Sequence, residues 1–377
     1  MRKLQVGVIC YPSLGGSGVI ATELAKKLAA RGHTMHFITS QKPFRLEHET
    51  EHLKFHEARI DGYAVFQFPP YDIALANKIA HTIVEEKLDL LHVHYAVPHA
   101  ISAALGKDMA KSSIPIITTL HGTDVTVLGE NKTLKDTVRY GIEKSTVATA
   151  VSHALKEDTY RMIRPQQEIR TIYNFIDEQT YQQDAVFREK YREQFGLTAD
   201  MDALIHVSNF RAVKRIDYIL RSFAEIVKQG QRQLFLVGEG PELENMQELA
   251  CELGIQQSVH FLGRRNDVNA LLNMSDVMLH LSDKEAFGLA ILEGFATGCP
   301  VVGTAIGGIP EIVEEGKNGF LVELDKPLAV AAAVEQILHP THRQAFRQHA
   351  LETAARFRSE QIVDQYEALY QEVCHED

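Results

Sequence analysis

Residues 4–40 have the sequence LQVGVICYPSLGGSGVIATELAKKLAARGHTMHFITS, and this stretch decides the fold. LQVGVICY predicts a strand, VIATELAKKLAARG predicts a helix that ends at Gly32, and HTMHFITS predicts a second strand. A crossover of this kind is right-handed and makes its two strands parallel. The stretch therefore predicts the first unit of a parallel α/β sheet.

The same alternation continues along the chain. The helix patterns IALANKIAHTIVEEK and PHAISAALGKDMA alternate with the strand patterns DLLHVHYA, IPIITTLHG and STVATAVS. A polar segment from Ile172 to Asp202 interrupts this rhythm and predicts the connection between domains. A second alternating series follows, and the residues from Lys326 onward predict helices. We expect two doubly wound parallel-sheet domains, 1–171 and 172–355, and a C-terminal helix in 356–377 that packs back on the first.

Length and composition limit the class of protein. A chain of 377 residues with 45% hydrophobic and 24% charged residues is typical of a two-domain globular protein. No apolar run approaches the roughly 20 residues of a membrane span, and the first run contains Gly7 and lacks a signal-peptide cleavage site. The four cysteines form no C-x-x-C pair, which indicates a reducing compartment. We therefore expect a cytoplasmic protein without stable membrane association.

The charge distribution indicates which kind of partner each half favours. A net charge of −11 argues against nucleic acid as the main partner. Residues 1–170 contain 21 Lys and Arg against 18 Asp and Glu, whereas the remaining residues contain 18 against 32. The N-terminal half is therefore the better host for a small anion.

The first loop contains Gly16 and Ser17 in a match to the dinucleotide pattern G-x-G-x-x-[GA]. That pattern also needs an acidic residue after the second strand, where this chain has Ser40, Gln41 and Lys42. A nicotinamide enzyme is therefore disfavoured. The glycine-rich turn still exposes backbone N–H groups at a helix start, which suit a phosphate or a carboxylate, and Ser17 adds a hydroxyl.

Three histidines lie close together in the sequence at His92, His94 and His99. The first two project from the same face of a predicted strand, but no cysteine or carboxylate cluster adjoins them. A zinc site is therefore disfavoured against histidines of the core or of a cleft. Tyr95, at the end of this strand, is better placed to contact a ligand.

The next predicted strand ends in TTLHGTDV, which contains Thr119, His121 and Asp124. One interpretation is a turn in which the histidine and aspartate bond the backbone. The other is that His121 orients a reacting hydroxyl at a strand end.

A cationic loop, SNFRAVKRID, follows the first strand of the second domain and contains Arg211, Lys214 and Arg215. It is either a solvated group of charges or a device that neutralises a leaving diphosphate at a helix start.

Two glutamates, Glu285 and Glu293, lie in the apolar stretch DKEAFGLAILEGFATGCPVVGT, residues 283–304. A helix that starts near Phe287 and Gly288 places the first in a loop and the second in the second turn. The free N–H groups of Gly288 and Leu289 then lie between them. Carboxylates accept hydrogen bonds from sugar hydroxyls and N–H groups bind phosphate, so the stretch predicts a nucleotide-sugar site.

The chain resembles the retaining glycosyltransferases of family 4 over nearly its whole length. The resemblance rests on motifs that occur in the order HGTD, LVGEGP, FLG, Glu285-x7-Glu293, GGIPEIV and NGFLV. The resemblance implies the GT-B architecture of two facing Rossmann-like domains, without a metal or another cofactor. It implies that Glu293 holds the ribose, that Glu285 and the backbone of 287–289 hold the sugar, and that Lys214 neutralises the diphosphate. His121 is then expected beside the donor sugar. The remaining implied donor contacts are Gly16, Asn209, Arg211 and Gly263.

Within the family, YPSLGGSGV, HVHYAVPHA and VSNFRAVKR resemble members that transfer N-acetylglucosamine from UDP-N-acetylglucosamine to the hydroxyl of L-malate, the first step of bacillithiol synthesis. This implies UDP-N-acetylglucosamine and L-malate as partners. The implied acceptor residues are Ser17, Tyr95, Thr119 and Arg139. One position departs from the pattern: many relatives have arginine where this chain has Asn209, and Arg211 is the candidate replacement.

Three other functions are left open by the residues. A transferase of this fold can use a lipid or polysaccharide acceptor, although no basic amphipathic surface helix supports a lipid. An epimerase of the same architecture needs no acceptor, and a silent binding protein would hold the nucleotide sugar without turnover. Homo-oligomer formation is also left open.

Overall fold

The protein divides into two units by the density of its internal contacts. The structure, a computed structural model, describes residues 2–12, 16–46, 48–59 and 70–375. Unit 1 comprises Met1–Asn174 and Ser359–Asp377, and unit 2 comprises Phe175–Arg358. The polypeptide therefore leaves unit 1 and returns to it after the whole of unit 2.

Each unit contains a parallel sheet within the described residues. The strands are β1 (Gln5–Ile9), β2 (Thr34–Thr39), β3 (Leu53–Glu57), β4 (Leu90–His94), β5 (Ile116–Leu120), β6 (Val147–Ala150), β7 (Ile169–Thr171), β8 (Asp202–Val207), β9 (Arg232–Val237), β10 (Val259–Gly263), β11 (Val277–His280), β12 (Val301–Thr304) and β13 (Gly319–Val322). The strand order is β3-β2-β1-β4-β5-β6-β7 in unit 1 and β10-β9-β8-β11-β12-β13 in unit 2. These two sheets confirm the predicted α/β fold class.

Helices connect the strands in both units. They are α1 (Gly16–Ala30), α2 (Tyr71–Glu85), α3 (Ile101–Met109), α4 (Thr123–Thr126), α5 (Lys135–Glu143), α6 (His153–Met162), α7 (Ala185–Gln194), α8 (Ile216–Ile226), α9 (Leu243–Glu252), α10 (Val268–Met274), α11 (Leu289–Ala296), α12 (Pro327–Leu338), α13 (Arg343–Ala355) and α14 (Ser359–Val373). No helix in the described part of the chain is both long enough and apolar enough to span a membrane.

In each sheet the order reverses beside the first strand of the unit. In unit 1, β1 pairs with β2 on one side and with β4 on the other. In unit 2, β8 pairs in the same way with β9 and β11. Ligands of open parallel sheets bind outside the carboxyl ends of the strands at such a reversal. The loops that follow β1, β4, β8 and β11 are therefore the places to look for a site.

Two features of the fold differ from the pattern in the sequence. β3 is an edge strand whose residues are only partly buried, so it lacks the apolar run that would have predicted it. The polar segment from Ile172 to Asp202 is more than a connection, because it contains α7, which packs against α10 in unit 2. Arg188 and Arg192 of α7 hold the buried carboxylate of Asp276 at 2.6 and 3.1 Å. Because its arginines pair with this carboxylate, α7 is part of unit 2 although its sequence is polar.

Helix α14 belongs to unit 1, where it packs against α1. Its Tyr370 hydroxyl hydrogen-bonds His92 Nδ1 in β4, and its Tyr366 hydroxyl lies 3.3 Å from Thr119 Oγ1 in β5. All four side chains are buried. The helix therefore covers the carboxyl-terminal halves of two central strands of the sheet.

Candidate functional site

The loops after β8 and β11 bring a cation and a carboxylate together in unit 2. Lys214 Nζ lies 2.7 Å from Glu285 Oε2, and His280 Nε2 lies 2.8 Å from the same oxygen. Lys214 and Glu285 are only 15% and 14% exposed, and His280 is buried. Three polar side chains thus meet at the carboxyl end of the sheet, where little water competes for their hydrogen bonds.

The environment keeps Glu285 ionised. Burial raises the pKa of this carboxyl, but the Lys214 charge and the hydrogen bonds from His280 and Lys214 outweigh it and lower the pKa well below its usual value. An ionised carboxylate accepts hydrogen bonds and cannot donate a proton. Glu285 is therefore suited to hold hydroxyl groups and unsuited to act as a general acid.

Two glycines fix the backbone of Glu285. The Gly308 N–H donates to the Glu285 carbonyl oxygen at 3.1 Å. Gly307 has φ of +55°, and a Cβ atom there would lie 1.8 Å from the same oxygen. Only glycine fits at 307, because a side chain would push the Glu285 backbone away.

The helix that carries Glu293 begins as the sequence predicts. Gly288, with φ of +100°, precedes α11, whose first residue is Leu289. Glu293 is in the second turn of α11 and is partly exposed. Phe287 is 2% exposed and its ring packs against Phe357 with centroids 5.9 Å apart, so its side chain is part of the core. The N–H groups at this helix start lie between the two glutamates.

The cations of the loop after β8 differ in their partners and exposure. Arg215 pairs with Asp217 at 3.0 Å and with Asp325 at 2.6 Å, which assigns it to the structure of unit 2. Arg211 and Asn209 are exposed. In the amide orientation that satisfies both groups, the Asn209 oxygen accepts hydrogen bonds from Arg211 Nε and Nη2 at 3.2 and 3.3 Å. Arg211 therefore remains available at the surface as a second cation near Lys214.

Gly263, at the end of β10, has φ of +61°, and its carbonyl oxygen accepts from the Gly238 N–H at 2.9 Å. A Cβ atom at Gly238 would lie 1.7 Å from the Ser208 carbonyl oxygen. The loop after β9 therefore packs directly on the loop after β8. Gly263 supports that arrangement of the backbone beneath the cationic loop.

In unit 1 the strand ends bring three predicted residues together. Tyr95 follows β4 and donates a hydrogen bond from its hydroxyl to Ser17 Oγ at 2.9 Å. The Tyr95 ring lies 5.2 Å from the His121 ring, measured between centroids. Gly16 is the exposed first residue of α1, whereas residues 13–15 of the glycine-rich loop lie outside the described residues. Ser17, Tyr95 and His121 therefore form one cluster of hydrogen-bonding groups.

His121 is held in its neutral form. Its Nε2 lies 2.9 Å from His94 Nδ1, and the two rings stack at 5.1 Å. Burial, reinforced by the neighbouring His99, lowers the pKa of His121 to about 3. A neutral imidazole can donate one hydrogen bond and accept another, which suits a hydroxyl ligand.

Asp124 organises the turns around this cluster. Its carboxylate accepts from the Ala96 N–H at 3.2 Å and from the Gly122 N–H at 3.0 Å. It therefore connects the turn after β4, next to Tyr95, with the turn after β5, next to His121. Burial raises the pKa of Asp124 to about 6 although the backbone hydrogen bonds oppose the shift.

The other two predicted acceptor residues lie elsewhere in unit 1. Thr119 is completely buried, and its hydroxyl bonds His92 Nε2 and Thr149 Oγ1, both at 2.8 Å. This hydroxyl is closed off by α14 and is not open to a small molecule. Arg139 in α5 donates to the Ile163 carbonyl oxygen and pairs with Asp136, each at 2.9 Å. Neither contact joins it to the Ser17, Tyr95 and His121 cluster.

Two histidines of unit 2 were not singled out from the sequence. His280, the last residue of β11, bonds Glu285 directly. His206 in β8 lies beside it with ring centroids 5.9 Å apart, and burial followed by the His280 charge lowers its pKa to about 3. Their position at strand ends, the same signal that pointed to His121, could have identified them.

Two family models together match most of the chain. The model of Glycosyltransferase Family 4 matches residues 14–180, and that of Glycosyl transferases group 1 matches residues 187–354. The chain is 48% identical over 377 residues to an N-acetyl-alpha-D-glucosaminyl L-malate synthase of Bacillus anthracis, which covers 100% of the chain and 98% of that protein. A D-inositol 3-phosphate glycosyltransferase of Corynebacterium jeikeium is 33% identical over 196 residues, 49% of the chain and 47% of that protein.

Solved structures share the fold. A glycosyltransferase of Rickettsia africae superimposes with a TM-score of 0.84 at 21% identity over 100% of both chains. HepE of Anabaena in complex with UDP and glucose superimposes with a TM-score of 0.82 at 21% identity, over 98% of this chain and 100% of that one.

Proposed function

Because the chain belongs to glycosyltransferase family 4, we propose that it transfers N-acetylglucosamine from UDP-N-acetylglucosamine to the hydroxyl group of L-malate. The similarity over the full length to an N-acetyl-alpha-D-glucosaminyl L-malate synthase supports N-acetylglucosamine as the transferred sugar and L-malate as the acceptor. The observation that carries the reaction class is the contact of 2.7 Å between Lys214 and Glu285 at the strand ends of unit 2. In the proposed reaction the anomeric configuration is retained and no metal takes part.

Unit 2 supplies the donor groups. The Lys214 ammonium has three N–H donors, and one of them satisfies Glu285, so others remain for a diphosphate oxygen. Arg211 and the helix start at Leu289 add positive potential. The ionised Glu285 accepts hydrogen bonds from sugar hydroxyls, and Glu293 does the same for the ribose. Cations and carboxylates are thus arranged for the two ends of a nucleotide sugar.

The chemical step moves one bond and one proton. The bond between the anomeric carbon and the diphosphate oxygen breaks, and its electron pair leaves with UDP. The malate hydroxyl oxygen forms the new bond on the same face of the sugar, and the departing phosphate oxygen takes its proton. No side-chain nucleophile is needed, so the rate depends on positioning and on the charge stabilisation by Lys214.

Unit 1 supplies the acceptor groups. Ser17 and Tyr95 are joined at 2.9 Å and provide hydroxyls, and the neutral His121 provides a ring nitrogen for a hydroxyl. Gly16, at the start of α1, is in addition a proposed donor contact of this unit, because N–H groups at a helix start suit a phosphate. Residues 1–170 carry 21 Lys and Arg against 18 Asp and Glu, which favours an anionic acceptor on this unit. A direct role of Arg139 stays a prediction.

We further propose that the reaction takes place in the cytoplasm. All four cysteines are free, which fits a reducing compartment. The proposed partners are the two substrates alone, without nucleic acid or stable membrane attachment. Assembly into a homo-oligomer stays a prediction that the sedimentation coefficient of the purified protein would test.

The experiment that tests the proposal combines the purified protein with UDP-N-acetylglucosamine and a panel of hydroxy acids, sugars and lipids. We expect UDP release and a product of the mass of N-acetylglucosaminyl malate with L-malate only. Release of UDP without any acceptor would favour an epimerase, and a response to sugars or lipids alone would refute the malate assignment. Binding of UDP without turnover under all conditions would indicate a silent binding protein.

Two further measurements test the stereochemistry and the metal. The proton coupling at the anomeric carbon of the product should show the α configuration of the donor. Turnover should persist after treatment with EDTA and dialysis. A β-configured product would exclude retention, and loss of turnover that added divalent cation restores would exclude a metal-independent step.

A further inference from the structure

A second group of polar side chains lies at the opposite side of the unit 1 sheet from β5, on the edge formed by β2 and β3. His36 Nδ1 in β2 and His56 Nε2 in β3 are 2.9 Å apart, and their rings stack with centroids 5.1 Å apart. The Glu86 carboxylate, directly after α2, completes a set whose three ligand atoms all lie within 4.8 Å of one another. His36 is buried, His56 is partly exposed and Glu86 is exposed. The set is therefore open on one side.

Gln5 determines which nitrogen of His36 is available. The Gln5 side-chain oxygen, Oε1, lies 2.9 Å from His36 Nε2 and can only accept, so Nε2 carries the proton. This leaves a lone pair on Nδ1, which points at His56. Metal-binding histidines almost always donate their other N–H to an oxygen in this way.

The surroundings keep both imidazoles neutral and offer negative charge. Burial is the main cause that lowers the pKa of His36, to about 4, with His56 and Lys54 adding to it. Burial also lowers the pKa of His56, with Lys78 acting in the same direction and Glu86, Glu49 and Glu85 against it. Neutral imidazole is the form that binds a metal ion. The three glutamates outnumber the two lysines around the histidine pair, so the surroundings favour a cation.

We propose that His36, His56 and Glu86 form a binding site for a divalent transition-metal ion that stabilises unit 1. Imidazole nitrogens bind such ions at about 2.0–2.1 Å, so a separation of 2.9 Å corresponds to an angle of about 90° at the metal. That angle fits the octahedral coordination of Ni²⁺ or Co²⁺, whereas tetrahedral Zn²⁺ needs the nitrogens to separate to about 3.3 Å. The exposed Glu86 side chain has room to approach, and water can occupy the open side.

The metal would have a structural role and take no part in the transfer reaction. β3 is an edge strand, and His56 is on it, whereas His36 is on the next strand and Glu86 is at the end of α2. One ion would join three elements that are separate in sequence.

The test is calorimetric titration of the metal-free full-length protein with NiCl₂, CoCl₂ and ZnCl₂ in separate experiments. We expect one site per chain in the wild type and a loss of affinity of at least about 100-fold in His56→Gln, with a smaller loss in Glu86→Gln. His52→Gln is the matched control, because His52 precedes the same strand and its Nδ1 lies 3.4 Å from Thr34 Oγ1, outside the proposed ligand set. Its affinity should equal that of the wild type.

Thermal unfolding provides a readout that does not depend on activity. Saturating Ni²⁺ should raise the Tm of the wild type and of His52→Gln but not that of His56→Gln, because only a native site couples binding to folding. Absorption bands of bound Co²⁺ should likewise disappear in His56→Gln. Equal affinity in His56→Gln and the wild type, or no saturable site in the wild type, would overturn the proposal.

Discussion

Lys214 and Glu285 lie 71 residues apart in the sequence, yet Lys214 Nζ is 2.7 Å from Glu285 Oε2. Both side chains are mostly buried, so each charge is compensated mainly by the other and little by water. His280, bonded to the same oxygen, restricts where the carboxylate can point. The loops after β8 and β11 are thus locked together by one carboxylate oxygen.

Replacing Lys214 by alanine should lower kcat for UDP release by about 100-fold to 1000-fold, because it removes the charge proposed to meet the leaving diphosphate. The control is Lys228→Ala, which removes an exposed lysine that pairs with Glu225. Circular dichroism and the Tm should show that both variants fold. Turnover of Lys214→Ala close to that of the wild type would exclude Lys214 from the diphosphate.

Gly307→Ala should disturb the Glu285 backbone, since its Cβ would lie 1.8 Å from the Glu285 carbonyl oxygen. We expect kcat/KM for UDP-N-acetylglucosamine to fall on the order of 100-fold. Gly316→Ala is the matched control, because Gly316 also has positive φ but a Cβ there meets no atom within 4 Å. Both variants should lose about 1 kcal/mol of stability from the backbone conformation. Equal catalytic loss in both would show that displacement of Glu285 is not the cause.

Tyr95→Phe and Ser17→Ala should each raise the KM for L-malate while leaving the KM for the donor unchanged. Tyr95 donates to Ser17 at 2.9 Å, so the two hydroxyls form one unit. The double variant should therefore lose less affinity than the sum of the single losses. Tyr140→Phe, at an exposed tyrosine, is the control. Independent, additive effects would contradict a shared acceptor contact.

The stability of the protein should depend on the pH through Asp124. Burial raises the pKa of this carboxyl from 3.8 to about 6, so the folded chain holds the proton more tightly than the unfolded chain. The favourable contribution is complete below about pH 4 and is lost as the pH rises through about 6, a change on the order of 3 kcal/mol. Chemical denaturation of the wild type and Asp124→Asn between pH 4 and 7 measures it. A constant difference in unfolding free energy across this range would contradict the assignment.

Thr119→Val separates a structural role from a role in acceptor binding. The substitution removes a buried hydroxyl that bonds His92 and Thr149, at an expected cost of about 1–3 kcal/mol of unfolding free energy. The KM for L-malate of the folded fraction should stay unchanged. A raised KM with an unchanged Tm would instead support the acceptor role implied by the family resemblance.

The alternation of strands and helices was sufficient to predict the fold class, because parallel crossovers impose a local pattern on the sequence. The helix start expected near Phe287 and Gly288 also agrees with the structure, where α11 begins at Leu289 directly after Gly288. The edge strand β3 was missed because partly buried residues carry no apolar signal. Local patterns therefore revealed most of the central architecture and the positions of the strand-end residues.

Partners that are distant in sequence could not be predicted in this way. Thr119 is at a strand end, as expected, but Tyr366 from α14, 247 residues later, covers it. Arg139 was expected to be available for a dicarboxylate, and its bonds go to Ile163 and Asp136 instead. His280 is at a strand end only five residues before Glu285, so its position could have been inferred from the sequence, but the bond of its ring to the Glu285 carboxylate could not. The contacts of Thr119 with Tyr366 and of Arg139 with Ile163 join segments whose proximity depends on the completed tertiary structure.

Unit 1 is completed by Ser359–Asp377, and all of Phe175–Arg358 lies between this segment and the rest of the unit. During synthesis the ribosome must therefore release the whole of unit 2 before α14 can reach His92 and Thr119. Unit 2, although second in the sequence, can finish folding first, contrary to the usual order from the N-terminus. A chain that ends at Arg358 should consequently present a protease-resistant unit 2 joined to an incomplete unit 1.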